Sequence, residues 1–158
     1  MENKFEIDEK LYQKLVGFFS DIYQLPPLSA KIYAYLTFDF CNAGVTFDEL
    51  IDILKASKSS ISSNLNLLQS NGYIIAINKI DERKRFFIIN PDYVTIRFDG
   101  LIEKLEKEKD IVNDIRKFRS EKCTKGDSTL YNEKVNIYIS LLEKNIENFT
   151  KTLQKLKQ

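Results

Sequence analysis

A chain of 158 residues, 43% hydrophobic and 30% charged, has room for one domain with a moderate core, or for a small folded unit carried on helices that need a partner. Its formal net charge of +1 excludes indiscriminate, tail-driven attraction to polyanions and leaves open a local basic face. With no histidine and only two cysteines, Cys41 and Cys123, at no zinc spacing, and with no Gly-rich phosphate loop or nucleophile elbow, no catalytic residue, cofactor or metal site is expected.

No apolar run approaches a membrane span, and Met1-Glu2-Asn3-Lys4 lacks the cationic start and apolar stretch of a secretory signal, so a soluble, cytoplasmic protein without a membrane partner is expected. Leu11, Leu15, Phe18, Phe19 and Ile22 recur at helical spacing and predict an amphipathic helix over about residues 8–24, stopped by Pro26-Pro27 because proline disfavours helix at the residue before it. Around its junction with the next helix the chain concentrates Phe18, Phe19, Tyr23, Tyr33, Tyr35, Phe38 and Phe40. Such rings are ordinarily core. Phe19, Tyr23, Tyr33 and Phe38 are also the candidate ligand residues, since aromatic faces can cage a quaternary ammonium by cation–π attraction.

Thr46-Phe47-Asp48-Glu49 reads as a capping box that starts a short helix with Phe47, Leu50, Ile51 and Leu54 at helical spacing. Lys55-Ala56 leaves a tight turn before a second cap at Ser57, so two helices must meet at an angle. In the second, Ile61, Leu65 and Leu68 form the buried stripe, which turns Ser59, Ser63, Asn66 and Ser70 outward with Ser60 and Ser62 on the flanks. Asn71-Gly72 ends it, with Gly72 suited to a left-handed position. Residues 73–78 and 85–89 are then short, β-branched and aromatic around a charged link, a hairpin whose tip carries Arg83, Lys84 and Arg85 offset by Asp81 and Glu82.

This order is that of a winged helix-turn-helix, which grips duplex DNA with its second helix and a hairpin wing. Ser57, Lys58, Ser59, Ser60, Ser62, Ser63 and Asn66 would approach base edges or a phosphate at the helix start, while Arg83, Lys84 and Arg85 anchor the wing on the backbone. Taken singly, a serine run at a helix start is ordinary capping chemistry, and three cations in a hairpin are ordinary solvated turn residues.

Residues 54–62 (Leu-Lys-Ala-Ser-Lys-Ser-Ser-Ile-Ser) and 68–74 (Leu-Gln-Ser-Asn-Gly-Tyr-Ile) resemble the multiple-antibiotic-resistance regulator (MarR) superfamily. Residues 25–36 (Leu-Pro-Pro-Leu-Ser-Ala-Lys-Ile-Tyr-Ala-Tyr-Leu) and Arg83-Lys84 followed by aromatics are similar to its GbsR-like branch. The resemblance runs over roughly residues 16–89. It departs at Arg85, where related wings often carry an acidic residue, and at the wing tip, which has no glycine. It implies a transcriptional regulator and, through the GbsR-like branch, choline as effector.

After the wing, Asn90-Pro91 caps a long helix expected to run to about residue 120, with Phe98, Leu101, Ile102, Leu105, Val112 and Ile115 as its apolar seam. Following a break at residues 125–128, a last helix over about 129–156 places Val135, Tyr138, Leu142, Ile146, Phe149, Leu153 and Leu156 on one side. Antiparallel pairing and a second subunit can bury these seams, and a homodimer is expected with Leu11, Leu15, Leu105, Val112, Leu142, Ile146 and Phe149 at its contacts. The competing reading is a hairpin that pairs only within its own chain. Cys123 lies beside Lys122 and Lys125, where positive neighbours favour the thiolate, whereas Cys41 ends an apolar helix.

The expected fold is therefore mainly α with a small β-hairpin, a winged helix-turn-helix flanked by long dimerisation helices: residues 1–28 an N-terminal dimerisation helix, 29–91 the DNA-binding domain, 92–158 a C-terminal helical dimerisation region. The expected function is that of a sequence-specific, ligand-responsive repressor binding double-stranded DNA as a homodimer. Its rival is a winged-helix adaptor that binds proteins and not DNA.

Overall fold

The computed structural model describes residues 5–80, 82–122 and 129–157, the side chain of Thr129 excepted. Two compact units divide the chain after Tyr93.

In the first unit, α1 (Glu9–Asp21) is capped by Asp8, whose carboxylate accepts the Leu11 amide at 2.9 Å. It ends three residues earlier than its apolar period suggests, with Gln24 in a left-handed conformation before the two prolines. α2 (Pro27–Leu36) has Ala30, Ile32, Tyr33, Ala34, Tyr35 and Leu36 all buried. A helix apolar on every side belongs in the middle of a core, and α2 packs against α1, α3, α4 and β3. Because Phe19 of α1 buries its ring against Tyr33, with centroids 4.6 Å apart, residues 9–21 belong to the same unit as the winged helix.

β1 (Val45–Thr46), α3 (Phe47–Leu54), α4 (Lys58–Ser70), β2 (Ile74–Asn78) and β3 (Arg85–Ile89) follow. The sheet order is β1-β3-β2, antiparallel throughout, with Val45 opposite Phe87 and Ala76 opposite Phe87 on the other edge. β1 was not expected. Two residues carry no readable period, and this strand exists because β3 offers it an edge. Just before it, Gly44 has φ +77°, and a side chain there would strike Phe86 at 2.7 Å.

In the second unit, α5 (Tyr93–Lys122) and α6 (Thr129–Leu156) pair as an antiparallel hairpin. Phe98 meets Phe149 (centroids 5.5 Å), Arg116 donates to Asn136 at 2.9 Å, and the Arg119 guanidinium lies 3.7 Å from the centre of the Tyr131 ring. The covered side of α5 runs through residues 98, 102, 105, 109, 112, 116 and 119, alternating steps of four and three as helix pairing demands. Leu101 and Ile115, expected on this seam, are exposed. On α6, Val135, Leu142, Ile146, Phe149 and Leu153 are covered, Ile139 is buried where Tyr138 was expected, and Tyr138 and Leu156 are exposed. The break at 125–128 and Cys123 lie outside the described residues. Among the described residues, no helix is long and apolar enough to cross a membrane.

Candidate nucleic-acid interface

The angle between α3 and α4 is set locally. Thr46 and Glu49 form the full capping box, with Glu49 accepting the Thr46 amide at 2.6 Å and Thr46 Oγ1 accepting the Glu49 amide at 3.3 Å. Lys55 ends α3 in a left-handed conformation, φ 50°, and Ser57 caps α4 by accepting the Ser60 amide at 3.2 Å. Ile61, Leu65 and Leu68 are buried on one side of α4. At about 100° per residue, Lys58, Ser62, Asn66, Ser59, Ser70 and Ser63 fall within an arc of about 140° on the other, and all six are exposed.

Within that arc the hydroxyls are not equivalent. Ser63 donates to the Ser59 carbonyl at 3.0 Å and Ser70 to that of Leu67 at 3.0 Å. Lys58, Ser62 and Asn66 make no side-chain hydrogen bond among the described residues, so their groups are available to an outside partner. Ser60 is exposed on the flank of the arc. The Ser57 hydroxyl donates to its Oγ at 2.8 Å, and the Asn64 amide holds its carbonyl at 2.8 Å. Ser57 and Ser60 are thus tied into the cap. Sequence reasoning missed Ser29, which is fully buried and donates to Asn64 Oδ1 at 2.7 Å. That bond pins the flank of α4 to the central helix.

α4 stops in a Schellman arrangement: the Gly72 amide donates to Gln69 O at 3.0 Å and that of Tyr73 to Leu68 O at 2.9 Å, with Gly72 at φ +72°. The hairpin follows at once. Near its tip Arg83, Lys84 and Arg85 are exposed, and Lys84 reaches back to Asp48 at the start of α3, 3.3 Å away. Both ends of that pair are well exposed, so it is worth at most about 1 kcal/mol and yields to a competing phosphate. Lys79 lies 3.9 Å from the centre of the Phe86 ring.

A charge signal missed in the sequence becomes plain on these elements. From residue 53 to residue 80 there is no Asp or Glu, and between residues 53 and 85 six cations (Lys55, Lys58, Lys79, Arg83, Lys84, Arg85) face two carboxylates, Asp81 and Glu82. The rest of a chain whose formal charge is +1 is therefore net negative, by three charges. Positive potential is concentrated on α4 and the wing.

The four candidate ligand aromatics do not form one cage. Phe19, Tyr23 and Tyr33 pack on one another and on Tyr73 and Tyr93, with centroids 4.6–6.1 Å apart. A cation needs to stand over a ring face within about 6 Å of its centre, and the four candidates are divided between this cluster and a second place in the unit. Phe38 lies elsewhere, against Tyr12 and Phe40. Of the candidate dimer residues, Leu142 is 3% exposed and already covered within its own chain, and Leu15 packs on the core of the first unit. Leu105, Val112, Ile146 and Phe149 are half-buried on the inner sides of the hairpin, whereas Leu11 is exposed. Cys41 is exposed, just after α2. Among the described residues no group of His, Cys, Asp or Glu could hold a metal.

A helix pair at an angle, a supporting helix beneath it, and a three-stranded sheet ending in a hairpin wing define a winged helix-turn-helix. Solved structures share the fold. One, described as a transcriptional regulator, is 17% identical over 94% of this chain and 97% of its own, with a TM-score of 0.62. Another, TrmBL2, described as an archaeal chromatin protein with a novel mode of DNA binding, is 14% identical over 74% of this chain and 45% of its own, with a TM-score of 0.51. At these identities the likeness is one of fold. No protein-family model matches the sequence. No curated protein matches it either.

Proposed function

We propose that the chain is a sequence-specific, double-stranded-DNA-binding transcriptional regulator that acts as a homodimer, a ligand-responsive repressor of the MarR type that resembles the GbsR-like branch. The observation that carries this reading is the coincidence on one unit of an exposed polar arc on α4, free of carboxylates, with the exposed cations of the wing. Short serines permit close approach to base edges, and Lys58, Ser62 and Asn66 supply unengaged polar groups. Exposed rows on the helical hairpin support the dimer: Ile111, Ile115 and Phe118 on α5, and Leu130, Ile137 and Leu141 on α6. Apolar rows of this length are costly to leave in water. A two-fold dimer sets its two α4 helices about 34 Å apart and selects a near-palindromic operator.

The test is selection of bound fragments from the source genome, followed by affinity measurements on them over a salt series. Steep weakening with salt, and a preference for a few fragments over bulk duplex, are expected. An adaptor that docks proteins through the same surfaces would bind no duplex even at low salt, and that result would remove the proposal.

A further inference from the structure

A cavity of about 800 Å³ lies in the first unit, away from α4 and the wing in sequence, between residues 5–11 and residues 38–43. This is within the range of small-molecule sites. Its walls are aromatic and aliphatic: Phe5, Leu11, Phe38 and Phe40. Phe38 is buried in the floor while Phe40 is 80% exposed at the rim, an arrangement that offers ring faces at two depths.

Three carboxylates share the lining with these rings, those of Glu6, Asp8 and Asp39, and no cationic side chain does so among the described residues. Asp39 is 7% exposed. Its two oxygens accept the amides of Ala43 at 2.9 Å and Gly44 at 2.6 Å, so the carboxylate cannot swing out to water. Asp8 is held by the Leu11 amide, and Glu6 is exposed with no side-chain partner among the described residues. Fixed negative charge beside aromatic faces attracts one chemical class: a cation with apolar arms, whose charge sits over the rings and whose arms replace water on the walls. An anion would meet three carboxylates, opposed only by the first-turn amides of α1, and a small cation such as choline would leave most of the volume unfilled.

We propose that this cavity is a binding site for amphipathic organic cations of drug size. The site is separate from the residues assigned to DNA, and the proposal does not depend on that assignment, because its assay contains no DNA.

The experiment is calorimetric titration of the whole chain with tetraphenylphosphonium, with tetraphenylborate, which has the same shape and the opposite charge, and with choline. The phosphonium is expected to bind at least about tenfold more tightly than either of the others, a difference of about 1.4 kcal/mol. Phe40→Ala and Glu6→Gln change exposed side chains and leave the thermal midpoint in place, yet each weakens phosphonium binding by about three- to tenfold. Equal affinity for the borate, no binding of the phosphonium, or variants that titrate like the parent would each overturn the proposal. So would a halving of the solution mass in Phe40→Ala, which would make the groove a contact between copies of the chain.

Discussion

The ring of Tyr73, first residue after the glycine that stops α4, lies against the ring of Tyr93, first residue of α5, with centroids 4.9 Å apart and planes tilted by 31°. Asn90 doubles the connection. Its amide donates to Tyr73 O at 3.0 Å, its side-chain amide to Gly72 O at 2.9 Å, and its Oδ1 accepts the Asp92 amide at 3.0 Å. The end of α4 and residues 90–93 are therefore tied, within the first unit, through one buried asparagine and a group of tyrosine rings in contact that includes Tyr23 and Tyr33.

Asn90→Ala leaves the Gly72 carbonyl and the Asp92 amide without their partner and is expected to lower stability by about 1–3 kcal/mol. Tyr93→Phe keeps the ring contacts and loses only the hydroxyl that bonds Tyr23, and is expected to cost less, about 0.5–1 kcal/mol. Urea unfolding followed by circular dichroism measures both. Equal midpoints for the two variants would show that the asparagine does not hold this junction.

The glycines separate by conformation. Gly44→Ala places a Cβ 2.7 Å from that of Phe86 at φ +77°, and a loss of more than about 2 kcal/mol is expected. Gly72→Ala puts a side chain into a left-handed position and is expected to cost about 1 kcal/mol. Gly17→Ala lies inside α1, where the new methyl meets nothing within 4 Å, and is expected to stabilise by about 0.5–1 kcal/mol. Thermal midpoints should rank the three in this order.

On DNA, Arg83→Ala is expected to weaken binding to all duplexes alike and to reduce the slope of log affinity against log salt by about one. Asn66→Ala should shift the preference among operator variants, by about 1–3 kcal/mol at the affected base pair. Ser63→Ala should do so less, because its hydroxyl proton is already given to Ser59 O. Gel-shift titrations on a panel of operator variants distinguish these outcomes. Wing and helix variants with the same signature would remove the division of labour between anchoring and reading.

The Tyr12 phenol is pushed up to about 12, first by burial and then by Glu9 and Tyr35, and that of Tyr93 is raised by burial and by Tyr23. A folded-state value above the unfolded value of about 10 means that the neutral phenol stabilises the fold fully below pH 10 and loses this contribution as pH rises toward 12. Unfolding midpoints measured from pH 8 to 12 should fall in that window, and the fall should be shallower in Tyr12→Phe. An identical pH profile for the variant would reject the assignment.

If a second copy covers the outer side of the helical hairpin, Ile137→Glu or Ile115→Glu places an unpaired charge in the contact. Sedimentation should then report the parent at twice the mass of the variant at micromolar concentration. Both side chains are exposed within one chain, so the variant should keep its helix content. A parent of single mass would leave the outer rows without a partner copy.

The elements built from local chemistry were legible in advance. The capping box at Thr46, the Ser57 cap, the Gly72 stop and the bounds of α6 each depend on residues within a turn or two of one another. Helix packing was less so. Tyr138 and Ile139 are adjacent, both apolar enough to face a partner helix, and about 100° apart. Only the alternating four-and-three steps taken by the actual contact decided for Ile139.

Sequence alone determined the turn of α3 into α4, the polar arc of α4 and the charged hairpin, because caps, stops and periodicity act through neighbours along the chain. Tertiary structure decided the rest: that β3 recruits β1, that Ser29 reaches 35 residues ahead to Asn64, and that Phe38 leaves Phe19, Tyr23 and Tyr33 for a separate cavity. These relations join residues distant in the chain, and which partners meet is set by how the helices and strands pack around α2.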